Sequence, residues 1–220
     1  QYEYARPALK HGLKLEKELG VNPYKFGMVG ATDTHTALAT TREENYFGKY
    51  QQTEPSPERH NNEVIPADDP ALRIMTSQEQ AGSLMAVWAR DNTRRDIFDS
   101  MQRKEVYATT GTRIRVRVFA GWDFEADEVS RHDFVAEGYK RGVPMGGDLS
   151  KAPKGKAPSF MVRALRDPDG ANLDRVQIIK GWLDDKGETQ ERIYDVAVSD
   201  GRKIGEDGRI KTPVGTTVDI

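Results

Sequence analysis

The first part of the chain combines a helical pattern of hydrophobic positions with a short apolar run. Apolar residues recur at roughly every third or fourth position among Lys and Glu over residues 4–19. This pattern predicts an amphipathic helix, with Gly20 as its C-cap. A turn at residues 21–23 then leads into an apolar run over residues 26–32, which predicts a buried strand.

The middle of the chain is first polar and then periodic again. Residues 42–76 contain several prolines and few apolar side chains, which predicts a long loop or lid. Residues 77–91 predict a helix whose N-cap is Ser77 or Thr76. A second helix is predicted to begin at Thr93.

The remainder of the chain is strand-like. A strand opens at Val106, and a period of two over residues 113–118 predicts a strand with one solvated face. From about Val143 the helical periodicity vanishes. Three further strands are predicted, at residues 159–166, 175–183 and 191–198.

Acidic turn motifs separate these last strands. Residues 167–170 are Asp-Pro-Asp-Gly and residues 184–187 are Asp-Asp-Lys-Gly, and both are typical of tight turns. The motifs also resemble part of a calcium loop, but the required series of ligands ending in a Glu is absent. We therefore expect structural turns at both positions.

These patterns predict two portions that differ in class. Residues 1–121 form an α/β portion, and residues 122–220 form a mostly antiparallel β module, which we expect to be half of a sandwich. The first residues look like the middle of a helix, and the last ones look like a strand cut short. We therefore expect the chain to be an internal piece of a longer protein.

Composition narrows the function classes. The 220 residues are only 36% hydrophobic and carry a net charge of -2, which argues against a nucleic-acid groove. No run of eighteen apolar residues exists, so no membrane span is expected. The chain has no cysteine, which excludes disulfides and thiolate metal sites. This absence fits any compartment and favours a periplasmic or secreted one.

The sequence Ala-Thr-Asp-Thr-His-Thr after the apolar run is the main candidate for chemistry. Side chains two apart in a strand point the same way, so Asp33 and His35 are expected to face one point. A carboxylate and an imidazole can supply two ligands to a divalent metal, whereas a catalytic metal site normally has three or more protein ligands. The alternative is that Asp33 caps the following turn by accepting backbone N–H bonds.

The other histidines do not complete such a site. His11 lies on the predicted first helix, His60 in the polar loop and His132 in a charged segment. We interpret all three as surface or loop residues, with His60 as the one that could reach over a site. A self-contained cluster of histidines is therefore not expected.

Several sequence blocks resemble the bacterial domain-of-unknown-function 3604 family, and the resemblance covers essentially the whole chain. The blocks lie at residues 4–9, 22–27, 31–36, 103–111 and 143–147. That family in turn resembles the polymerase-and-histidinol-phosphatase (PHP) superfamily of metallohydrolases. The resemblance implies a distorted α/β barrel of PHP type, of which this chain would be the C-terminal part, and a cluster of two or three divalent metal ions.

The resemblance also assigns roles within that cluster. Asp33 and His35 match the last ligand motif of the superfamily, and the ions are expected to be Zn, Mn or Fe. The implied chemistry is hydrolysis of a small-molecule phosphoester or related ester by a metal-activated water. The earlier His-x-His motifs are absent from this chain. The remaining N-terminal part of the same protein is therefore an expected partner, and the fragment alone is expected to be inactive.

Five further residues are candidates for the site. Thr110 and Arg113 are proposed as catalytic, and Arg6, Tyr107 and Thr109 as substrate-binding. Each has a structural alternative. The threonines could form a tight turn, Tyr107 could pack in the core, Arg113 could lie on exposed strand surface, and Arg6 could simply precede the helix that begins near Pro7.

A different class of function also fits the sequence. The chain could be a non-catalytic binding or accessory module of a larger envelope-associated protein, in contact with a glycan, an envelope component or a partner subunit. A homo-oligomer is a further possibility in either case.

Overall fold

A computed structural model of the chain describes residues 4–35, 57–58, 61–79 and 82–215. These residues contain three α-helices, α1 (Ala5–Leu19), α2 (Arg94–Gln102) and α3 (Phe134–Arg141). The strands are β1 (Glu63–Ile65), β2 (Ile74–Met75), β3 (Leu84–Val87), β4 (Val106–Thr109), β5 (Arg115–Gly121), β6 (Gly142–Pro144), β7 (Ser159–Leu165), β8 (Arg175–Leu183) and β9 (Thr189–Val198). No helix in these ranges is long and apolar enough to cross a membrane.

Two predicted helices are confirmed. Helix α1 ends where Gly20 adopts a left-handed conformation with φ of 76°, and the Gly20 N–H donates to the Glu16 carbonyl. Helix α2 begins after Thr93, whose hydroxyl accepts a hydrogen bond from the Asp96 N–H. Helix α3 was not predicted, because a helix of 8 residues gives little periodic signal.

Two other predictions are wrong. Residues 26–32 belong to no strand, although Ser83 donates a backbone hydrogen bond to the Ala31 carbonyl at 3.2 Å. In place of the helix predicted at 77–91, a short 3-10 turn (Thr76–Gln78) precedes β3. Four consecutive residues of β3 pair with β4, so strand pairing overrides the local helical pattern there.

The predicted loop over residues 42–76 is described only in part. Residues 42–56, 59 and 60 of this segment lie outside the described ranges. Strands β1 and β2 pair antiparallel within the described part. Whether the segment serves as a lid stays a prediction.

The chain divides into two compact units. Unit 1 comprises residues 1–26, 115–117 and 162–220, and unit 2 comprises residues 27–114 and 118–161. The described strands form small sheets, with the orders β1-β2, β3-β4, β6-β5-β7 and β8-β9. The PHP-type barrel, the sandwich and the domain boundary after residue 121 stay predictions.

Unit 1 is built on the hairpin of β8 and β9. Both strands lie close to the predicted positions, and they pair antiparallel from Arg175 opposite Val198 to Leu183 opposite Thr189. The predicted turn between them is confirmed, because the Asp184 carboxylate accepts the N–H groups of Lys186 and Glu188.

Unit 2 contains the buried apolar cluster Phe119, Phe124, Phe134 and Met161. Phe119 lies edge-to-face against Phe134, with ring centroids 5.4 Å apart. Helix α3 approaches closely because Gly138 has no side chain: a Cβ there would lie 2.5 Å from the Phe119 ring. The cluster joins α3 to β5, and β5 and β6 pair antiparallel.

Candidate functional site

Asp33 and His35 lie side by side on an exposed turn of unit 2. Oδ1 of Asp33 is 3.3 Å from Nε2 of His35, and the two side chains are 66% and 55% exposed. Thr32 and Thr34 are less exposed, and their hydroxyl oxygens lie 3.2 Å apart. The backbone here is not the expected strand, because Asp33 adopts a left-handed conformation with φ of 56°. The carboxylate and the imidazole are nevertheless presented together to solvent.

Glycines fix the backbone that leads into this turn. A Cβ on Gly30 would lie 2.6 Å from the Cβ of Ser83 and 2.8 Å from the Leu84 carbonyl oxygen. Gly82 adopts φ of +79°, and a Cβ there would lie 3.2 Å from the Cα of Thr32. The segment before Asp33 therefore packs directly against the start of β3.

The same contact brings the end of β4 close to the turn. Leu84 at the start of β3 pairs with Thr109 at the end of β4. Beyond Thr109, a Cβ on Gly111 would lie 3.0 Å from the Gly82 carbonyl oxygen. Gly82 thus lies between Thr32 on one side and Gly111 on the other. It connects the segment that contains Asp33 with the end of β4, whose threonines were predicted to lie next to the site.

The two threonines at the end of β4 have different surroundings. The hydroxyl oxygen of Thr109 is buried and has no hydrogen-bond partner within the described ranges. The next residue, Thr110, is exposed. Of this pair, Thr110 is the one whose hydroxyl can meet a solute directly, and the substrate-binding role of Thr109 stays a prediction.

Tyr107 and Arg113 lie on either side of this strand end. The Tyr107 hydroxyl donates to the Ile114 carbonyl at 2.9 Å, and its ring is 6.5 Å from that of Trp88. This hydrogen bond closes the turn between β4 and β5. Arg113 lies in that turn and is exposed. Their substrate and catalytic roles stay predictions.

Arg6 belongs to unit 1, whereas Asp33 and His35 belong to unit 2. Its guanidinium lies 3.3 Å from the Glu191 carboxylate, which also pairs with Lys10 at 3.0 Å. The hydrogen bond from Lys10, together with the charges of both cations, holds the pKa of Glu191 below its ordinary value. This ion pairing ties α1 to β9.

The geometry of the Asp33–His35 pair matches two ligand positions around a metal ion. Donors at about 2.1 Å from a tetrahedral ion are about 3.4 Å apart, which matches the 3.3 Å separation observed here. The pair therefore fits as two ligands of one ion. No group of three or more His, Cys, Asp or Glu side chains suited to a metal occurs within the described ranges.

The remaining histidines are not neighbours of the pair in sequence. The His11 ring on α1 is partly buried, with its centroid 6.2 Å from that of Tyr24. His132 is exposed beside the ion pair of Arg131 and Asp133. His60 lies outside the described ranges.

Glu105 is a fully buried carboxylate in unit 2 and was not among the predicted site residues. It accepts a hydrogen bond from the Tyr139 hydroxyl, and Nη2 of Arg103 lies 3.5 Å away. Its position one residue before the apolar strand β4 gave no sequence signal of burial. These contacts attach α3 to the start of β4.

The model of the family described as protein of unknown function (DUF3604) matches residues 1–220. No curated protein and no solved structure gives a significant match to the chain. Because the family match covers its full length, the chain belongs to the DUF3604 family.

Proposed function

We propose that this chain is the C-terminal part of a metal-dependent hydrolase that cleaves phosphoester or related ester bonds. The observation that carries the proposal is the exposed pair of Asp33 and His35, with donor atoms 3.3 Å apart. The proposed reaction class, metal-assisted hydrolysis, comes from the resemblance of Asp33 and His35 to the last ligand motif of the PHP superfamily. The proposal assigns the other metal ligands to a preceding segment of the same protein.

Exposed apolar surface in unit 2 supports the presence of such a segment. Met28 and Val29, just before the turn, are 50% and 53% exposed. Phe98 and Met101 on α2 are exposed as well. Large apolar side chains left in water favour association with further polypeptide, which is what a barrel completed by another part of the protein would provide.

The proposal assigns a role to four residues of this chain. Asp33 and His35 would hold the ion as two of its ligands. A bound divalent ion lowers the pKa of a coordinated water and polarises the scissile bond. Thr110 is exposed at the adjoining strand end and would donate its hydroxyl to an oxygen of the substrate. The guanidinium of Arg113 would attract an anionic leaving group.

Hydrolysis by the natural protein that contains this chain tests the proposal. Bis(p-nitrophenyl) phosphate and p-nitrophenyl acetate, each assayed with added Zn²⁺ or Mn²⁺, report the two ester classes. Loss of a residue that only supports a metal ligand costs up to about 100-fold in activity. Because D33A and H35A remove ligands themselves, we expect each to lower turnover by at least about 100-fold. The matched variants D185A and H132A change exposed residues of the same types and should keep parental activity.

Two outcomes would contradict the hydrolase proposal. If the protein hydrolyses neither ester, or if D33A and H35A fold normally and remain as active as the matched variants, the hydrolase proposal is wrong. The non-catalytic binding module would then be the better interpretation of the chain.

A further inference from the structure

The hairpin of β8 and β9 in unit 1 has two faces with different surroundings. Helix α1 packs on the face that carries Gly181, because a Cβ there would lie 3.0 Å from Cγ of Lys10. The opposite face alternates with it. Its side chains, which we call the cation–aromatic face, are Ile178, Lys180, Trp182, Gln190, Arg192 and Tyr194.

Two cations lie directly opposite each other on this face. Lys180 on β8 pairs with Arg192 on β9, and both side chains are exposed. Like charges in this arrangement destabilise a sheet. Within the described ranges, neither cation forms an ion pair with an acidic residue.

Aromatic rings flank the cation pair along the hairpin. Nζ of Lys180 lies 4.9 Å from the ring centroid of Trp182, and Cζ of Arg192 lies 4.9 Å from that of Tyr194. Trp182 and Tyr194 lie on opposite sides of the pair, each about 7 Å along the strands, since two residues span that length. The face therefore has a positive centre between two rings.

The acidic residue at the end of this face is already engaged. The Asp184 carboxylate accepts the N–H groups of Lys186 and Glu188, and its second oxygen accepts from Nε2 of Gln190. These bonds hold the Asp184 carboxylate in its own turn, and within the described residues it forms no ion pair with Lys180 or Arg192. An anion placed between them would remove their mutual repulsion, and the Arg192 guanidinium can bind a carboxylate or sulfate through two N–H groups.

We propose that the cation–aromatic face binds an acidic polysaccharide. A carboxylate or sulfate group would bridge Lys180 and Arg192, and the C–H faces of the neighbouring sugars would stack on Trp182 and Tyr194. A glycan fits this face better than a nucleic acid, because a nucleic-acid groove needs a row of cations for successive phosphates and this face has one cation pair between two rings. This inference is independent of Asp33 and His35.

Calorimetric titration of the natural protein that contains this chain with oligogalacturonate and with chondroitin sulfate tests the proposal. We expect at least one of them to bind, neutral maltohexaose not to bind, and affinity to fall as NaCl rises from about 50 mM to about 500 mM. The K180Q/R192Q double variant should bind at least about tenfold more weakly. The K180R variant retains the charge and should bind as the parent does.

The same titrations include a control variant and can overturn the proposal. K154Q/K203Q removes two exposed cations elsewhere and should leave the affinity unchanged. The proposal is overturned if neither acidic glycan binds, or if K154Q/K203Q loses as much affinity as K180Q/R192Q. It is also overturned if a single-stranded oligonucleotide binds more tightly than both glycans.

Discussion

Gly30 and Ser83 lie so close together that a Cβ on Gly30 would be 2.6 Å from the Cβ of Ser83. This contact attaches the segment before Asp33 to the start of β3, so the position of the turn depends on it. We expect G30A to force the two segments apart and to lower the free energy of unfolding by about 1–3 kcal/mol, as overpacking does. Urea denaturation followed by tryptophan fluorescence measures the change.

A second glycine variant separates this effect from a general effect of alanine. Gly215 has nothing within 4 Å of a Cβ placed on it, so G215A should leave the urea midpoint unchanged. Equal midpoints for G30A and the parent would show that the contact between Gly30 and Ser83 does not hold the turn in place.

The buried carboxylate of Asp195 predicts a loss of stability in acid. Hydrogen bonds from Gln177 and from the Ile210 N–H, each 2.6 Å long, hold its pKa below the ordinary value of 3.8. Because the folded-state pKa is the lower one, this stabilisation is present above about pH 4 and is lost as the pH falls through the folded-state pKa. The urea midpoint of the parent should therefore fall below about pH 4.

Variants of Asp195 and Asp185 check that assignment. D195N should be less stable than the parent at pH 7, and its midpoint should change less between pH 7 and about pH 3.5. D185N alters an exposed residue of the neighbouring turn and should follow the parental curve. A D195N curve that runs parallel to the parental curve would mean that other carboxylates determine the acid sensitivity.

Phe119 should carry more of the stability than any exposed ring. It is fully buried and contacts Phe134 and Tyr139 edge-to-face, at centroid distances of 5.4 and 5.1 Å. We expect F119A to cost about 3–5 kcal/mol, since it removes a packed ring and leaves a cavity. F160A, at a ring that is 50% exposed, should cost much less, and similar thermal shifts for the two would contradict this assignment of the core.

The helices and strands that could be predicted are those whose own sequence shows a clear hydrophobic periodicity. Helix α1 and strands β8 and β9 show clear periodicity, and Gly20 marks the helix end. Residues 77–91 were misassigned because β3 is specified by its pairing with β4, which lies about twenty residues further along the chain. The apolar run over residues 26–32 predicted a strand. In the structure this segment packs closely against the start of β3 without forming a strand ladder.

In the candidate site, too, local features could be predicted and contacts between distant segments could not. Asp33 and His35 could be singled out from the Asp-x-His spacing, but the left-handed backbone of Asp33, with φ of 56°, could not be predicted from it. That Gly82 would lie between Thr32 and Gly111 could not be predicted, since it depends on three segments distant in the sequence. The burial of the Thr109 hydroxyl likewise depends on neighbours that spacing does not reveal.

Metal content of the natural protein that contains this chain, measured by elemental mass spectrometry, tests the central claim most directly. We predict two or three equivalents of Zn, Mn or Fe in the parent protein, and a loss of metal in both D33A and H35A, while H132A keeps the parental content. A parent protein that binds no metal when supplied with all three, or D33A and H35A variants that retain the full content, would contradict the account.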